Sequence, residues 1–283
     1  MIQKKDFDGI IKRNIVKTKG ESVLGYDSYE NYYSRAEFEK FKTEMQQPEY
    51  LDFYNRYKAG KGSELEPQKG KFGEIPPKMA SVASSSRFCY LAFRDMGSGS
   101  VKVEVPCRIK GVRGTPPQLD AYISEVNTFF EVMCHEIFDS HSIKLSDSYW
   151  NLIYGKNNDF GLSAEKPDGE AFNIPLTEFN ITAEASMFDI KQLLCHLLGI
   201  ASQKDTSENI RFVYMFFKPK TDSEDDNRSI DEVFDLLQSE IKKIFNSKPI
   251  KKFTSKNNIF LSAIAEFSEV MEPLTKENII ILA

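Results

Sequence analysis

No apolar run in this chain approaches the ~20 residues a helical membrane span needs, so none is expected. The first residues, Met1-Ile2-Gln3-Lys4-Lys5-Asp6, hold no apolar h-region, so a secretory leader is not expected either. The four cysteines, Cys89, Cys107, Cys134 and Cys195, are widely spaced in apolar surroundings and form no CxxC pair. That suits reduced, buried thiols in a cytoplasmic protein and argues against a disulfide framework or a cysteine zinc site. Histidine is also scarce. The dipeptides Cys134-His135 and Cys195-His196 invite a zinc reading, but neighbouring strand residues point to opposite faces and cannot easily chelate one ion. A Gly-rich phosphate loop is absent, which argues against an NTP-driven motor. So is a Gly-x-Ser-x-Gly elbow, which argues against a serine hydrolase built on Ser84-Ser85-Ser86. An excess of positive charge is lacking as well. The net charge of −5 disfavours a non-specific polyanion binder but leaves room for a local basic surface.

What the chain does have is the composition of a folded globular protein, 41% hydrophobic and 12% aromatic over 283 residues. Residues 1–77 are expected to form an N-terminal helical region and linker, and 78–283 an α/β core. Aromatic residues from Tyr26 to Tyr57 recur at helical spacing and break near Pro48, predicting two helices. Gly60 to Pro77 reads as a linker. Lys78 to Arg94 reads as a helix, Val101–Val105 as an alternating strand, and residues 155–180 as a long loop. Ala183 to Ile200 carries the clearest apolar stripe, with Gly199 placed as its end signal and Asp189, Gln192 and His196 on a narrow polar face. Ile210–Phe217 reads as a buried strand. A helix is expected to follow from a Ser229/Glu232 capping box to Phe245.

Two carboxylates stand out within this pattern. Asp120 opens one short strand, and after a polar turn at Ser124–Asn127 Glu131 sits inside a second, among Phe129, Phe130, Val132 and Met133. A buried strand carboxylate is costly without a cation, a hydrogen-bond set or a raised pKa to compensate it. Two at one end of a hairpin make a hard-oxygen site suited to Mg²⁺, provided both face one side of the sheet. Glu104 alternates with Val103 and Val105. It would reach the same cleft if its strand neighbours the hairpin; otherwise it is an exposed strand glutamate.

Pro117-x-x-Asp120 followed by Glu131-Val132-Met133 resembles the PD-(D/E)XK nuclease superfamily, and more narrowly its restriction-endonuclease-like members. The resemblance covers roughly residues 79 to 220. It implies a central mixed β-sheet flanked by helices and a DNA endonuclease using Mg²⁺, held by Asp120, Glu131 and the Val132 carbonyl. It also implies a helical glutamine, here Gln192, that reaches back to the site, and a cytoplasmic homodimer acting on double-stranded DNA in bacterial defence. Arg108, Lys110 and Arg113, with Ser85 and Arg87, are the candidate nucleic-acid contacts.

The departure lies at position 133, where the pattern has lysine and this chain has methionine, a side chain with neither charge nor donor. Three explanations compete. The methionine is an engineered inactivation, or the chain is a natural binder that has lost catalysis, or Lys110, Lys144 or Lys191 substitutes for the missing cation. The alternative to an impaired nuclease is thus a non-catalytic nucleic-acid-binding or protein-interaction module on the same fold.

Overall fold

The structure, a computed structural model, describes residues 2–60, 62–71, 73–96, 99–156, 158–163, 171–203, 209–268 and 279–281. Helix α1 (Lys4–Lys19) is followed by the hairpin β1–β2 (Leu24–Tyr26, Tyr29–Tyr33), α2 (Arg35–Met45), α3 (Leu51–Ala59) and the hairpin β3–β4 (Gln68–Gly70, Gly73–Ile75). Next come α4 (Ser85–Phe93), β5 (Val101–Pro106), β6 (Gln118–Ile123), β7 (Thr128–Met133), β8 (Ile143–Ser146), α5 (Trp150–Ile153) and β9 (Ala171–Ile174). The chain closes with α6 (Ile190–Gln203), β10 (Ile210–Pro219), α7 (Glu224–Phe245), α8 (Lys248–Lys256), β11 (Ile259–Ser268) and β12 (Ile279–Ile281).

Among the described residues six strands form the central sheet, in the order β12-β11-β10-β7-β6-β5. It is mixed: β7–β10 and β10–β11 pair parallel, while β5–β6, β6–β7 and β11–β12 pair antiparallel. Helices cover both faces, and strand alternation shows which. Phe130 meets Phe93 of α4 at a centroid distance of 4.9 Å, whereas its neighbour Glu131 meets Gln192 of α6. Successive strand residues point oppositely, so α4 and α6 lie on opposite sides. On the α6 side Phe188 packs on Tyr214, and Lys218 reaches the ring of Phe234 in α7. The molecule is therefore α/β. Among the described residues no helix is long and apolar enough to cross a membrane.

Several elements depart from their sequence reading. Tyr26–Tyr33 forms a hairpin rather than the start of a helix; α2 and α3 do flank Pro48. The segment 60–77 carries the hairpin β3–β4, and Lys61 within it lies outside the described residues, as do 157 and 164–170 of the expected long loop. The helix expected over 78–94 begins only at Ser85, where the Ser84 hydroxyl caps it by accepting from Arg87 N–H. Helix α7 is capped six residues before the expected position, at Ser223. Ser223 accepts from Asp226 N–H, and Glu224, Asp225 and Asp226 form an acidic first turn that complements the helix dipole. Nor is residue 77 a break in packing. One cluster of buried side chains runs from Phe7 and Ile10 through Phe88 and Leu193 to Leu237.

Helix α6 also differs from its reading at both ends. Its start waits for Asp189, whose carboxylate takes Gln192 N–H, because Ser186 engages Phe188 and Glu240 locally and holds the preceding turn out of the helix. Gly199 lies inside the helix, which continues to Gln203. A Cβ there would stand 2.6 Å from Cys107 Cβ and 2.8 Å from the Cys107 carbonyl oxygen, so this glycine permits α6 to touch the loop that leaves β5. Gly199→Ala is therefore expected to lower the melting temperature. Overpacking of roughly 1–3 kcal/mol outweighs the ~1 kcal/mol gain in helix propensity. A thermal melt in which the variant gains stability would show that the helix can move away from Cys107.

Candidate functional site

The site grows out of a parting of two strands. The β6–β7 ladder runs Ile123↔Thr128, Tyr122↔Phe129, Ala121↔Phe130 and then stops. In that register the next facing residues are Asp120 and Glu131, on the same side of the sheet. The Val132 N–H, which would continue the ladder, instead donates to Asp120 Oδ2 at 2.7 Å. N–H and C=O of one strand residue point to the same neighbour, so the Val132 carbonyl is directed into the gap beside Asp120. The Asp120 carbonyl in turn accepts a long contact from the Cys89 thiol of α4 at 3.6 Å.

Glu131 is 5% exposed and the half-buried Asp120 lies beside it. Gln192 Nε2 donates to Glu131 Oε1 at 2.7 Å, so the glutamine of α6 does reach the β7 carboxylate. Leu193, Leu194 and Leu197 are buried and hold the helix on the sheet. One helical turn on, His196 is also buried. Its Nδ1 stands 3.8 Å from Glu131 Oε2, and neither atom has a hydrogen-bond partner. The spacing of four between Gln192 and His196 put both on one helix face, the signal by which sequence could have brought His196 to Glu131.

Burial decides the charge state of this group. It pushes the Glu131 carboxyl well above the usual carboxylate range, with Asp120 and Glu136 adding to the rise. Asp120 is pushed up in the same way, by burial first and then by Glu104 and Glu136, against the lowering effect of the Val132 N–H. Burial lowers His196 to about 3, in spite of a hydrogen bond with the Gln118 backbone. Burial thus favours a neutral acid beside a neutral imidazole.

Glu104 occupies the corresponding row position on β5. Pairing skips from Val103↔Ala121 to Val105↔Leu119, leaving Glu104 opposite Asp120 but unpaired, at φ 52°. A non-glycine residue in that conformation is uncommon. It breaks the expected alternation and turns the carboxylate toward Gly60 at the end of α3. Burial raises Glu104 to about 7, with Glu64 adding to the rise and Lys78 opposing it.

The remaining candidates are scattered. Arg108, Lys110 and Arg113 are exposed on the loop from β5 to β6, which Cys107 N–H closes onto the Pro117 carbonyl at 2.7 Å. Between Arg108 and Pro117 this loop encloses a pocket of about 120 Å³. Arg87 does not belong with them. It is 4% exposed, clamped between the rings of Tyr33 and Phe41 at 4.0 and 3.9 Å, and donates to the Met79 carbonyl. Its role is to pin the N-terminal segment to α4, and Ser85 is half-buried in the first turn of the same helix. Met133 is buried, two positions past Glu131 on its side of the strand. No ion pair joins Lys110, Lys144 or Lys191 to Asp120 or Glu131 among the described residues. His135 bonds Asp8 of α1 at 2.8 Å, fastening that helix to the end of β7.

Among the described residues no three His, Cys, Asp or Glu side chains are grouped to hold a metal ion. That argues against a closed zinc site. A hydrated Mg²⁺ asks for less: one or two carboxylates, with water and substrate oxygens completing the shell. Asp120, Glu131 and the Val132 carbonyl are oxygen donors of that kind.

The raised Glu131 pKa has a sign that can be tested in chelator-treated protein. A carboxyl raised on folding contributes fully below its unfolded pKa, near 4.5, and loses that contribution as pH rises through its folded value. Glu131→Gln should match the parent below that pH and exceed it by roughly 1–3 kcal/mol in mildly alkaline buffer, since the amide can donate to His196 Nδ1. Parallel pH–stability curves would mean Glu131 is not held neutral.

Comparison with family models, with curated proteins and with solved structures returns no match.

Proposed function

We propose that this protein is a restriction-endonuclease-like, Mg²⁺-dependent nuclease acting on double-stranded DNA, with its rate held down by methionine at position 133. The observation that carries this reading is the parted β6–β7 end, where Asp120 and Glu131 face one another and Gln192 of α6 closes on Glu131. That strand–hairpin–helix arrangement, on a mixed sheet flanked by helices, is the one the PD-(D/E)XK resemblance implies.

In this reading Asp120, Glu131 and the Val132 carbonyl hold Mg²⁺, which when bound supplies Lewis-acid polarisation of a phosphodiester oxygen and a water of lowered pKa. Gln192 fixes the rotamer of Glu131, so that Oε2 is left free for ligation. Binding requires Glu131 and Asp120 to be ionised, so the site opposes cation entry until pH or substrate favours it. Arg108, Lys110 and Arg113 supply backbone-phosphate contacts from the loop that leads into β6. Met133 places a thioether where a cation would stabilise charge on the scissile phosphate. Cutting both strands from one site per chain favours a two-fold dimer. The competing reading, a non-catalytic DNA-binding module, draws on Met133 and on the neutral Glu131–His196 pair.

Supercoiled-plasmid cleavage separates the two. The parent should bind DNA with a steep loss of affinity as salt rises, yet cut it poorly in Mg²⁺. Met133→Lys should raise cleavage by roughly 100-fold or more, and adding Asp120→Ala or Glu131→Ala should remove that gain. A folded, DNA-binding Met133→Lys protein that cuts nothing would favour the non-catalytic module, and cleavage surviving both alanine changes would place the chemistry elsewhere.

A further inference from the structure

The loop from β5 to β6 carries cations that no acid answers. Residues 107–117 contain neither Asp nor Glu. Arg108, Lys110 and Arg113 are exposed, and no ion pair engages them among the described residues. On other surfaces Arg35, Arg56 and Lys256 each hold a carboxylate. The loop is also firmly framed. Cys107 N–H closes it on the Pro117 carbonyl, Val112 N–H donates to the Ile109 carbonyl at 3.2 Å, and Lys110 N–H reaches the Ser202 hydroxyl of α6 at 3.4 Å. Gln203 Nε2 donates to the Pro106 carbonyl at 3.1 Å. Gly111 and Gly114 take φ of 88° and 112°, which L side chains rarely adopt, and Pro116 and Pro117 restrict the return.

The pocket inside this frame is lined by buried Ile109 and half-buried Val112, Pro116 and Pro117, with exposed Arg108, Gly114 and Thr115 completing it. Its volume of about 120 Å³ is far below the roughly 300–1,000 Å³ of sites for larger ligands, and equals the liquid volume of about four waters. One ring fills it. The C-terminal end of α6, the negative end of its dipole, abuts the loop, which disfavours an anion inside and leaves the cations for groups outside. A neutral flat ring carried on a chain of phosphates meets both conditions. Ser202 lies ten residues beyond Gln192 on α6, about 15 Å at the helical rise. That is about four base steps at 3.4 Å each, so a strand lying on Asp120 and Glu131 reaches the loop within a few nucleotides.

We propose that the β5–β6 loop holds one unpaired nucleobase of a DNA strand in this pocket, with Arg108, Lys110 and Arg113 on the flanking phosphates. This deepens the nuclease reading and rests on its DNA-binding part alone. The favoured substrate is duplex DNA with a nucleotide already outside the stack, for which no unpairing energy is spent.

Binding of the full chain to three duplexes, measured in chelator so that no strand is cut, tests it. One duplex is fully paired, one carries a single bulged nucleotide, and one carries the same bulge without its base. The bulged duplex should bind roughly tenfold or more tighter than the paired one, and the abasic bulge, which keeps the bend, should lose that gain. Val112→Leu combined with Thr115→Leu narrows the pocket without changing charge or adding a ring. It should erase the preference for the bulged base while affinity for paired DNA and its salt dependence stay as in the parent. Arg108→Ala and Arg113→Ala should weaken all three duplexes alike and each reduce the salt slope by about 1. Thermal melts of each variant confirm that folded protein is being compared. Equal affinity for all three duplexes, or a preference that survives loss of the base or the double leucine change, would overturn the pocket and leave the nuclease reading standing. Failure to bind any of the duplexes would overturn both.

Discussion

Much that is distinctive about this molecule follows from carrying carboxylates into a largely apolar sheet. Ionised carboxylates do not remain in such surroundings uncompensated. Here compensation is local and incomplete: one main-chain N–H for Asp120, one amide donor for Glu131, and for the remaining oxygen of Glu131 only a histidine that burial keeps neutral. The ladder gives way at this point because the Asp120 side chain takes the hydrogen bond that β6's own main chain would have made. The free energy lost there is offset by apolar packing on both faces of the sheet, of Phe93 on Phe130 of β7 and of Phe188 on Tyr214 of the neighbouring β10.

The parts of this arrangement that could be read from sequence were those governed by periodicity. The short apolar flanks of Ser124–Asn127 specify a hairpin, and the leucine stripe of α6 leaves Gln192 on the sheet-facing border. What escaped reading depended on competition between close alternatives. Tyr29, Tyr32 and Tyr33 suit a helical stripe as well as a short strand, and the strand formed because its main chain pairs with Leu24–Tyr26. Acidic residues 224–226 look like a solvated loop until Ser223 is recognised as a cap. Arg87 looks like a phosphate ligand in a Ser-Ser-Ser-Arg run; two aromatic rings from distant segments claim it instead. Glu64 sits in a stretch rich in Gly, Pro and Lys, and nothing local announces that the fold will enclose it.

The N-terminal segment illustrates the same limit. Composition suggested a lobe joined by a linker, yet α1 is fastened along the core by Asp8 to His135, Arg13 to Asp226 and Asn14 to the Lys220 carbonyl. Each contact spans more than a hundred positions of sequence, and such pairings leave no periodic trace. The core's completeness therefore depends on residues that arrive first in the chain, and the end of β7 is braced from outside by a helix that precedes it.

The kink at Glu104 bears on how copies of this chain could meet. Among the described residues β5 is the last strand at its side of the sheet, and a flat edge strand offers its unpaired main-chain groups to any similar edge. With Glu104 at φ 52° and Lys102 exposed two positions earlier, that border is bent and charged in its middle. A neighbouring chain could not extend the ladder across it without straightening the strand and drawing an acid and a lysine into the seam. Assembly by continuing the sheet through β5 is thereby disfavoured, and a neighbouring copy would have to meet this side of the molecule by other means than strand addition.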